Sequence, residues 1–237
     1  MSDHTPVVVI TGASQGIGEA LVAAYRKQGY AVVANSRNIA PSDDPMVLAA
    51  PGDIGQPGVG QRVIGAAVQQ FGRVDTIVNN AGIFVAKPFT EYTDEDYDAV
   101  TAVNLRGFFE LTRAGIAAIE SHGDGGHVVN ISTSLVDHAL SQVPSGLAAL
   151  TKGGLTAVTK SLAVEYAARG IRSNAVALGI IRTPMHPPET HEFLDALHPI
   201  GHMGDIEDVV RGVLYLEQAK FVTGEILHVD GGQSAGH

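Results

Sequence analysis

Val7-Val8-Val9-Ile10-Thr11-Gly12-Ala13-Ser14-Gln15-Gly16-Ile17-Gly18 is the segment from which the architecture of the chain follows. Its β-branched run at 7–10 is typical of a strand that is buried on both faces of a parallel sheet. Three glycines follow the run, and from Ile17 onward the apolar residues recur at helical spacing. The segment therefore predicts a strand, a tight glycine turn and a helix.

Apolar runs continue to alternate with helical patterns along the rest of the chain. Further strands are predicted at 31–34, 46–50, 76–78, 127–131, 173–178 and 226–229. Helices are predicted from Ile17, at 61–71, from Thr93 toward Asn104, at 107–119, and around Lys152 as far as Gly170. Because strands that alternate with helices are joined by right-handed crossovers, we predict a doubly wound α/β fold with a parallel sheet.

Length and composition limit the classes of protein to which the chain can belong. The 237 residues suit one domain, 1–237, in which residues 182–204 form the one long irregular connection and therefore a lid-like segment. Cysteine is absent, and no apolar run has membrane-spanning length. The net charge of -10 disfavours binding to nucleic acid or to an anionic membrane surface. We expect a cytoplasmic protein with neither of those partners.

The glycine turn lies where a doubly wound fold binds a dinucleotide, between the first strand and the first helix. Glycines let the backbone approach a pyrophosphate, and the helix N-terminus supplies N–H donors. Any tight strand-to-helix turn can use glycines, so the triplet gains its meaning from its place in an alternating α/β chain. We predict that the cofactor contacts Gly12, Ser14, Gln15, Gly16, Ile17 and Gly18.

The end of the second strand indicates which dinucleotide is bound. An acidic residue there would hold the ribose 2′-hydroxyl and repel a 2′-phosphate, but this chain has Ser36, Arg37 and Asn38. The Arg37 guanidinium can pair with a phosphate, and the two polar neighbours can donate hydrogen bonds. The alternative is an ordinary surface arginine at a strand end. We predict that NADP(H) is favoured over NAD(H).

Six motifs in the same order resemble those of the classical short-chain dehydrogenase/reductase family. They are Thr11-Gly12-x-x-x-Gly16-Ile17-Gly18, Asn79-Asn80-Ala81-Gly82, Val103-Asn104-Leu105, Asn130-Ile131-Ser132-Thr133-Ser134, the segment 170–176, and the tail from Thr223-Gly224 to Asp230-Gly231-Gly232. The resemblance covers essentially the whole chain. It implies a Rossmann-type sheet of about seven strands in three α/β/α layers, a nicotinamide cofactor, and a homodimer or homotetramer.

The resemblance also implies roles for individual residues. Asn104 would be the structural and catalytic asparagine, and Lys152 would be the lysine that holds the ribose. Further cofactor contacts are implied for Asp53 and Ile54 at the adenine, for Asn80, Ala81 and Gly82 along the ribose, and for Ile181 and Thr183 at the nicotinamide end.

One position departs from the family pattern at its most reactive point. In relatives, a tyrosine four residues before the lysine transfers the proton of the alcohol or carbonyl group. Gly153-Gly154-Leu155 fixes the alignment, so Ala148 stands where that tyrosine belongs. The six tyrosines of the chain are Tyr25, Tyr30, Tyr92, Tyr97, Tyr166 and Tyr215, all outside the interval between the fifth strand and Lys152. The usual proton donor is absent.

Three functions are compatible with this pattern. In the first, the protein remains an oxidoreductase of a small carbonyl or alcohol substrate, with another group or a water molecule as a non-standard proton donor. Loss of a positioned general acid slows such a reaction by only about 10²–10⁴-fold. Ser134 or Thr133 would then polarise the carbonyl, and we choose Ser134. In the second, the protein binds NADP(H) without turnover, as a sensor or partner subunit. In the third, Lys152 or a histidine acts as the base of an elimination.

Two further expectations concern metals and self-association. The histidines at 186, 191, 198 and 202 lack a spacing that suits metal ligands, so we expect no metal site. Apolar residues recur along the helices at 107–119 and 147–166. Because these helices commonly form the dimer in the family that the chain resembles, we expect homo-oligomers.

Overall fold

Seven parallel strands form the centre of the molecule. The computed structural model describes residues 4–236. The strands are β1 (Val7–Thr11), β2 (Ala31–Ser36), β3 (Val47–Pro51), β4 (Thr76–Asn79), β5 (Gly126–Thr133), β6 (Ile171–Leu178) and β7 (Ile226–Val229). Their order in the sheet is β3-β2-β1-β4-β5-β6-β7, and every neighbouring pair is parallel. The predicted Rossmann-type parallel sheet is confirmed.

The helices cover both faces of this sheet. They are α1 (Gly16–Lys27), α2 (Val59–Phe71), α3 (Asp94–Thr101), α4 (Phe108–His122), α5 (Gly146–Tyr166), α6 (His191–Asp195) and α7 (Ile206–Gln218). Apolar side chains of α2 and α4 pack in one core cluster, and those of α1 and α7 pack in a second. The result is the expected three-layer α/β/α arrangement.

Strand β1 shows how the local sequence builds both cores. Successive side chains of a strand point to opposite faces of the sheet. Val7 and Val9 accordingly belong to the α2/α4 core, whereas Val8 and Ile10 belong to the α1/α7 core. All four are at most 1% exposed. The apolar run at 7–10 is explained by this burial on two sides.

Three elements differ from the sequence-based expectations. Helix α7 was not predicted, although Asp205 and Asp208 form a capping box at its start. The segment 182–204 is not wholly irregular, since it contains α6 and a β-bridge joins Ile181 to Gly204 at its base. A π-helical turn, Ala102–Gly107, joins α3 to α4 where the sequence predicted two separate helices.

The topology fixes where a ligand cleft can form. The chain moves outward from β1 to β3 on one side and then returns to β4 on the other side of β1. Ligands of open α/β sheets bind at this switch point, beyond the carboxyl ends of the strands. Among the described residues, none of the helices has both the length and the apolar character needed to cross a membrane.

Candidate functional site

The glycine turn between β1 and α1 requires glycine at positions 12, 16 and 18 for steric reasons. Gly12 and Gly16 have φ values of 66° and 59°, a region that residues with a Cβ atom rarely adopt. At Gly18, a Cβ atom would lie 2.1 Å from the Gly12 carbonyl oxygen. A side chain at any of these three positions would therefore strain the backbone of the turn or collide with it. Backbone N–H groups at the start of α1 consequently stand at the switch point, where an anion can approach them.

Hydrogen bonds tie the glycine turn to the end of β4. The Thr11 hydroxyl oxygen accepts from the backbone N–H groups of Asn80, at 3.1 Å, and of Ala81, at 3.0 Å. The Asn80 side-chain amide in turn donates to the Thr11 carbonyl oxygen at 2.9 Å. These bonds hold two predicted cofactor-binding segments together. The buried Thr11 was named in the family motif, but the sequence did not indicate this second role.

The end of β2 presents polar groups beside the glycine turn. The hydroxyls of Ser14 and Ser36 lie 2.8 Å apart and join the two segments. Arg37 and Asn38 are exposed. Within residues 4–236, no carboxylate lies within ion-pair distance of the Arg37 guanidinium. Arg37 is thus a free cation next to the turn, available to an anionic ligand.

Residues that follow strand β3 form the neighbouring wall of the cleft. Buried Asn35 donates from its side-chain amide to the carbonyl oxygens of Ala50, at 2.9 Å, and Gly52, at 3.1 Å. Asp53 follows directly and accepts from the Gly55 N–H at 3.0 Å, while Ile54 is 6% exposed. The structure thus brings Asp53 and Ile54 to the same edge of the sheet as the glycine turn. Asn35 positions this wall, a role that the sequence analysis did not predict.

Asn104 occupies the π-helical turn that joins α3 to α4. Its side-chain oxygen accepts from the Ile83 N–H at 2.9 Å. Its amide donates to the Ile83 carbonyl oxygen at 3.0 Å and to the Thr151 hydroxyl at 3.1 Å. Single π-helical turns are rare and occur frequently at functional sites. Asn104 therefore links the segment after β4 to helix α5 immediately before Lys152.

Lys152 points toward the same segment from helix α5. Its Nζ donates to the Ile131 carbonyl oxygen at 2.7 Å and lies 3.1 Å from where a Cβ atom on Gly82 would be. Burial lowers the pKa of Lys152 to about 8. The side chain is half-buried, and among residues 4–236 its ammonium group has one hydrogen-bond acceptor, the Ile131 carbonyl oxygen. Such a lysine retains donor capacity for a ligand.

The place of the missing tyrosine is filled by packing. Ala148 is 2% exposed, one helical turn before Lys152. Tyr25 and Tyr30 donate to Glu217, and Tyr92 donates to the Val85 carbonyl oxygen at 2.8 Å. Tyr166 lies beneath the Arg169 guanidinium, and Tyr97 and Tyr215 are about half exposed on their helices, at 50% and 53%. Within the described part of the chain, none of the six hydroxyls is hydrogen-bonded to Lys152.

The hydroxyls of Ser134 and Thr133, at the end of β5, differ in burial and in hydrogen-bond partners. The Ser134 side chain is fully buried, where it is 3.1 Å from the Leu178 carbonyl oxygen and also hydrogen-bonded to Gln233. Thr133 is half-buried, and its hydroxyl oxygen accepts from the Leu135 N–H at 3.3 Å, which leaves its proton free to donate. The geometry therefore favours Thr133 as the polarising hydroxyl.

The lid-like segment is anchored along its second half. Asp195 pairs with Arg182 at 2.9 Å and accepts from the Met203 N–H at 2.7 Å. In its first half, Met185 and Phe193 are 58% and 51% exposed. At the start of the segment, the Thr183 side chain lies 3.8 Å from where a Cβ atom on Gly16 would be. The structure thus brings Thr183 to the glycine turn, next to buried Ile181.

The histidines of this segment are engaged with the backbone. His186 binds the Ile181 carbonyl oxygen at 2.9 Å, His191 binds that of His186 at 3.0 Å, and His202 binds that of Met203 at 2.8 Å. Among residues 4–236, no three side chains of His, Asp or Glu gather as potential metal ligands.

Comparisons with known proteins cover nearly the whole chain. Residues 12–234 match the family model described as Enoyl-(Acyl carrier protein) reductase. An uncharacterised oxidoreductase of Methylorubrum extorquens is 36% identical over 246 residues, which cover 95% of this chain and 96% of that protein.

Solved structures show the same architecture. The 3-ketoacyl-(acyl-carrier-protein) reductase of Brucella melitensis, in complex with NADH, superposes with a TM-score of 0.90 at 29% identity and covers 98% of this chain and all of its own. A variant of ElxO that carries phenylalanine in place of a tyrosine, with NADPH bound, has a TM-score of 0.90 at 28% identity, with 98% and 100% coverage.

Proposed function

The chain belongs to the short-chain dehydrogenase/reductase family, and we propose on this basis that it is an NADP(H)-dependent oxidoreductase of a small carbonyl or alcohol compound. The observation that carries the proposal is the convergence of Lys152, Asn104 and Gly82 beside the glycine turn. The NADH-bound reductase of similar structure supports a nicotinamide cofactor in this cleft.

Arg37 supports NADP(H) as the preferred form of the cofactor. A ribose 2′-phosphate adds negative charge at the end of β2, where the exposed Arg37 guanidinium has no carboxylate partner among the described residues. The hydroxyls of Ser14 and Ser36 add donors on the side of the glycine turn. An NAD(H)-specific site would instead carry a carboxylate at this point.

The variant Arg37→Glu tests this preference. Because hydrogen bonds to charged groups contribute about 1.5–3 kcal/mol, we expect its Kd for NADPH to rise by about 10- to 100-fold. The Kd for NADH should change by less than about threefold, since that cofactor lacks the phosphate. Fluorescence titration of the reduced nicotinamide measures both constants. The control is Arg211→Glu, an exposed position on α7 that should leave both unchanged. Equal effects of Arg37→Glu on the two cofactors would refute the preference.

The chain's own residues would contribute binding, polarisation and orientation. The bound cofactor supplies a hydride for a carbonyl carbon, or accepts one from an alcohol. The Thr133 hydroxyl would donate a hydrogen bond to the carbonyl oxygen as negative charge develops there. Lys152 would hold the ribose, with Asn104 fixing the segment after β4 opposite it. With Ala148 in place of a tyrosine, water would deliver the proton, and turnover would be slow or selective.

A second candidate function is NADP(H) binding without turnover, as a sensor or partner subunit. The observation that favours it is the identity of residue 148. A buried alanine stands one turn before Lys152, and its side chain has no hydroxyl that could transfer a proton. The NADPH-bound ElxO variant, in which phenylalanine replaces a tyrosine, supports cofactor binding in the absence of a tyrosine hydroxyl. NADPH binding without oxidation by any carbonyl compound of a broad panel would identify this function.

We also propose that copies of the chain associate through helices α4 and α5. Phe109, Leu150 and Val164 on these helices are 56%, 57% and 82% exposed, although apolar. Covering such side chains stabilises an interface. Analytical ultracentrifugation should therefore find dimers or tetramers of the full chain, and a monomer at micromolar concentration would contradict the proposal.

A further inference from the structure

His198 lies buried beneath the segment Gly179–Thr183. It is 3% exposed and follows helix α6, in the anchored half of the lid-like segment. Its Nε2 is 2.9 Å from the Ile180 backbone nitrogen, and its Nδ1 is 3.0 Å from the Leu194 carbonyl oxygen. One imidazole ring therefore connects the backbone that follows β6 to helix α6.

The two backbone partners determine which nitrogen of the ring carries the proton. The Ile180 N–H can only donate, so Nε2 must accept and carry no hydrogen. The Leu194 carbonyl oxygen can only accept, so Nδ1 must donate. The contacts thus specify a neutral imidazole with its proton on Nδ1. A second proton would have to occupy Nε2, directly opposite the Ile180 N–H.

The ring also fills the space beneath the end of β6. At Gly179, a Cβ atom would lie 2.9 Å from His198 Nε2, so the backbone and the ring are in close contact there. The following residue, Ile180, accepts from the Gly204 N–H at 3.0 Å, and Ile181 forms the β-bridge to Gly204. Displacement of the ring would therefore loosen the attachment of Ile181 and Thr183, which lie next to the glycine turn.

We propose that His198 is a positioning residue whose neutral, Nδ1-protonated ring fixes the segment Gly179–Thr183 at the cofactor cleft, and that protonation of Nε2 releases this segment. The effect on the cofactor rests on the proposed function, since it requires that Ile181 and Thr183 contact the nicotinamide end. The release of the segment itself does not depend on a ligand.

The charged groups around His198 do not stabilise its protonated form enough to change this expectation. Asp195 is occupied by Arg182 and the Met203 N–H, and Asp230 accepts from the N–H groups of Gly232 and Ser234. Burial lowers the pKa of His198 below its ordinary value of 6.5, in spite of these carboxylates and the Leu194 bond. The neutral ring therefore prevails at neutral pH, and the segment is released on the acid side of 6.5.

Two measurements on the full chain test the proposal. In ¹⁵N NMR of the imidazole, His198 should show protonated Nδ1 and unprotonated Nε2 at neutral pH, and an Nε2-protonated ring would refute the proposal. Hydrogen exchange of the Ile180 amide, corrected for intrinsic rates, should accelerate several-fold, up to about tenfold, between pH 7.5 and 5.5 in the free protein. Unchanged protection across this range would also refute it.

Variants separate this role from ordinary packing. His198→Gln keeps an uncharged acceptor. At neutral pH its Kd for NADPH should be several-fold higher than that of the native protein. On acidification its Kd should not show the further rise that the Kd of the native protein shows. His202→Gln is the control, because His202 is exposed and, within residues 4–236, its ring forms a hydrogen bond only with the neighbouring Met203 carbonyl oxygen. Identical pH slopes in native protein and His198→Gln would overturn the link to the cofactor. Absence of NADPH binding at every pH would instead refute the proposed function, while the NMR and exchange results still decide the role of His198. They also decide it if His198→Gln does not fold.

Discussion

The two ends of the sheet handle polar groups in opposite ways. At the amino end, the Glu217 carboxylate of α7 is 5% exposed and accepts from His127 at 2.9 Å, Tyr30 at 3.1 Å, Thr76 at 3.2 Å and Tyr25 at 3.3 Å. At the carboxyl end, Lys152 has one carbonyl partner, and no carboxylate pairs with Arg37 among the described residues. The polar groups at the amino end form hydrogen bonds with one another, whereas those at the carboxyl end retain donors for a ligand.

Buried hydrogen bonds hold the charged groups of the amino-end cluster in place. Arg172 donates to the carbonyl oxygens of Leu216 at 2.7 Å and Glu217 at 3.0 Å, and Asn174 donates to His127 Nε2 at 2.9 Å. Burial lowers the pKa of His127, so its ring is neutral and donates from Nδ1 to Glu217. Burial by itself would raise the pKa of Glu217, but the His127 hydrogen bond and the nearby cations lower it overall. This cluster serves the fold.

The distribution of tyrosines follows the same division. Tyr25 and Tyr30 place their hydroxyls on Glu217 at the amino end, and burial raises the pKa of both. At the carboxyl end, residue 148 is alanine where a tyrosine would be expected to transfer protons. Tyr25 and Tyr30 therefore stabilise the fold through the Glu217 carboxylate. The comparison therefore predicts large effects on stability at one end and on activity at the other.

The largest expected effect is on stability at the amino end. The variant Glu217→Ala removes the acceptor shared by five donors, Lys220 included, and takes away the carboxylate that faces the buried Arg172 charge. We expect the free energy of unfolding to fall by about 3–5 kcal/mol. Denaturant titration followed by circular dichroism measures the loss. Glu207→Ala on the same helix is the control, because Glu207 is exposed and should contribute less than about 0.5 kcal/mol. Equal losses in the two variants would remove the distinction between the ends.

A smaller effect is expected from restoring the hydroxyl at the carboxyl end. Ala148→Tyr should raise the rate of ketone reduction by NADPH about 10- to 100-fold, because a positioned general acid contributes about 10²–10⁴-fold when fully aligned. The buried site will resist the larger side chain, at about 1–3 kcal/mol of stability. Ala148→Phe is the matched control, with the same ring but no hydroxyl. It should lose the same stability and gain no activity. A gain shared by both variants would show that the ring, and not the hydroxyl, is responsible.

What the sequence predicts well is local. The run at 7–10 and the glycines after it predict β1 and its turn, since a buried strand needs apolar side chains on both faces and positive φ values need glycine at positions 12 and 16. The alternation of strands and helices likewise predicts the parallel sheet. These properties depend on neighbouring residues, which the sequence shows directly.

What the sequence does not predict depends on partners far along the chain. Ser134 and Thr133 both carry hydroxyls at the end of β5, and the contacts of buried Ser134 with Leu178 and Gln233, 44 and 99 residues away, distinguish them. The His127–Glu217 hydrogen bond spans 90 residues. The hydrogen bond between Ile180 and His198 forms because the lid-like segment folds back on itself. A residue type permits such contacts but does not specify them, so the polar interior becomes visible only in the folded chain.

The most direct test of the account is a stopped-flow experiment with purified protein in excess over NADPH and with a broad panel of ketones and aldehydes. We predict that NADPH binds and that its nicotinamide absorbance decays slowly in the presence of at least one carbonyl compound. The reduced product, an alcohol, should form at the same time. Decay should be absent without the carbonyl compound. Binding without decay across the entire panel would contradict the assignment as an oxidoreductase and leave the cofactor-binding sensor as the function of this cleft.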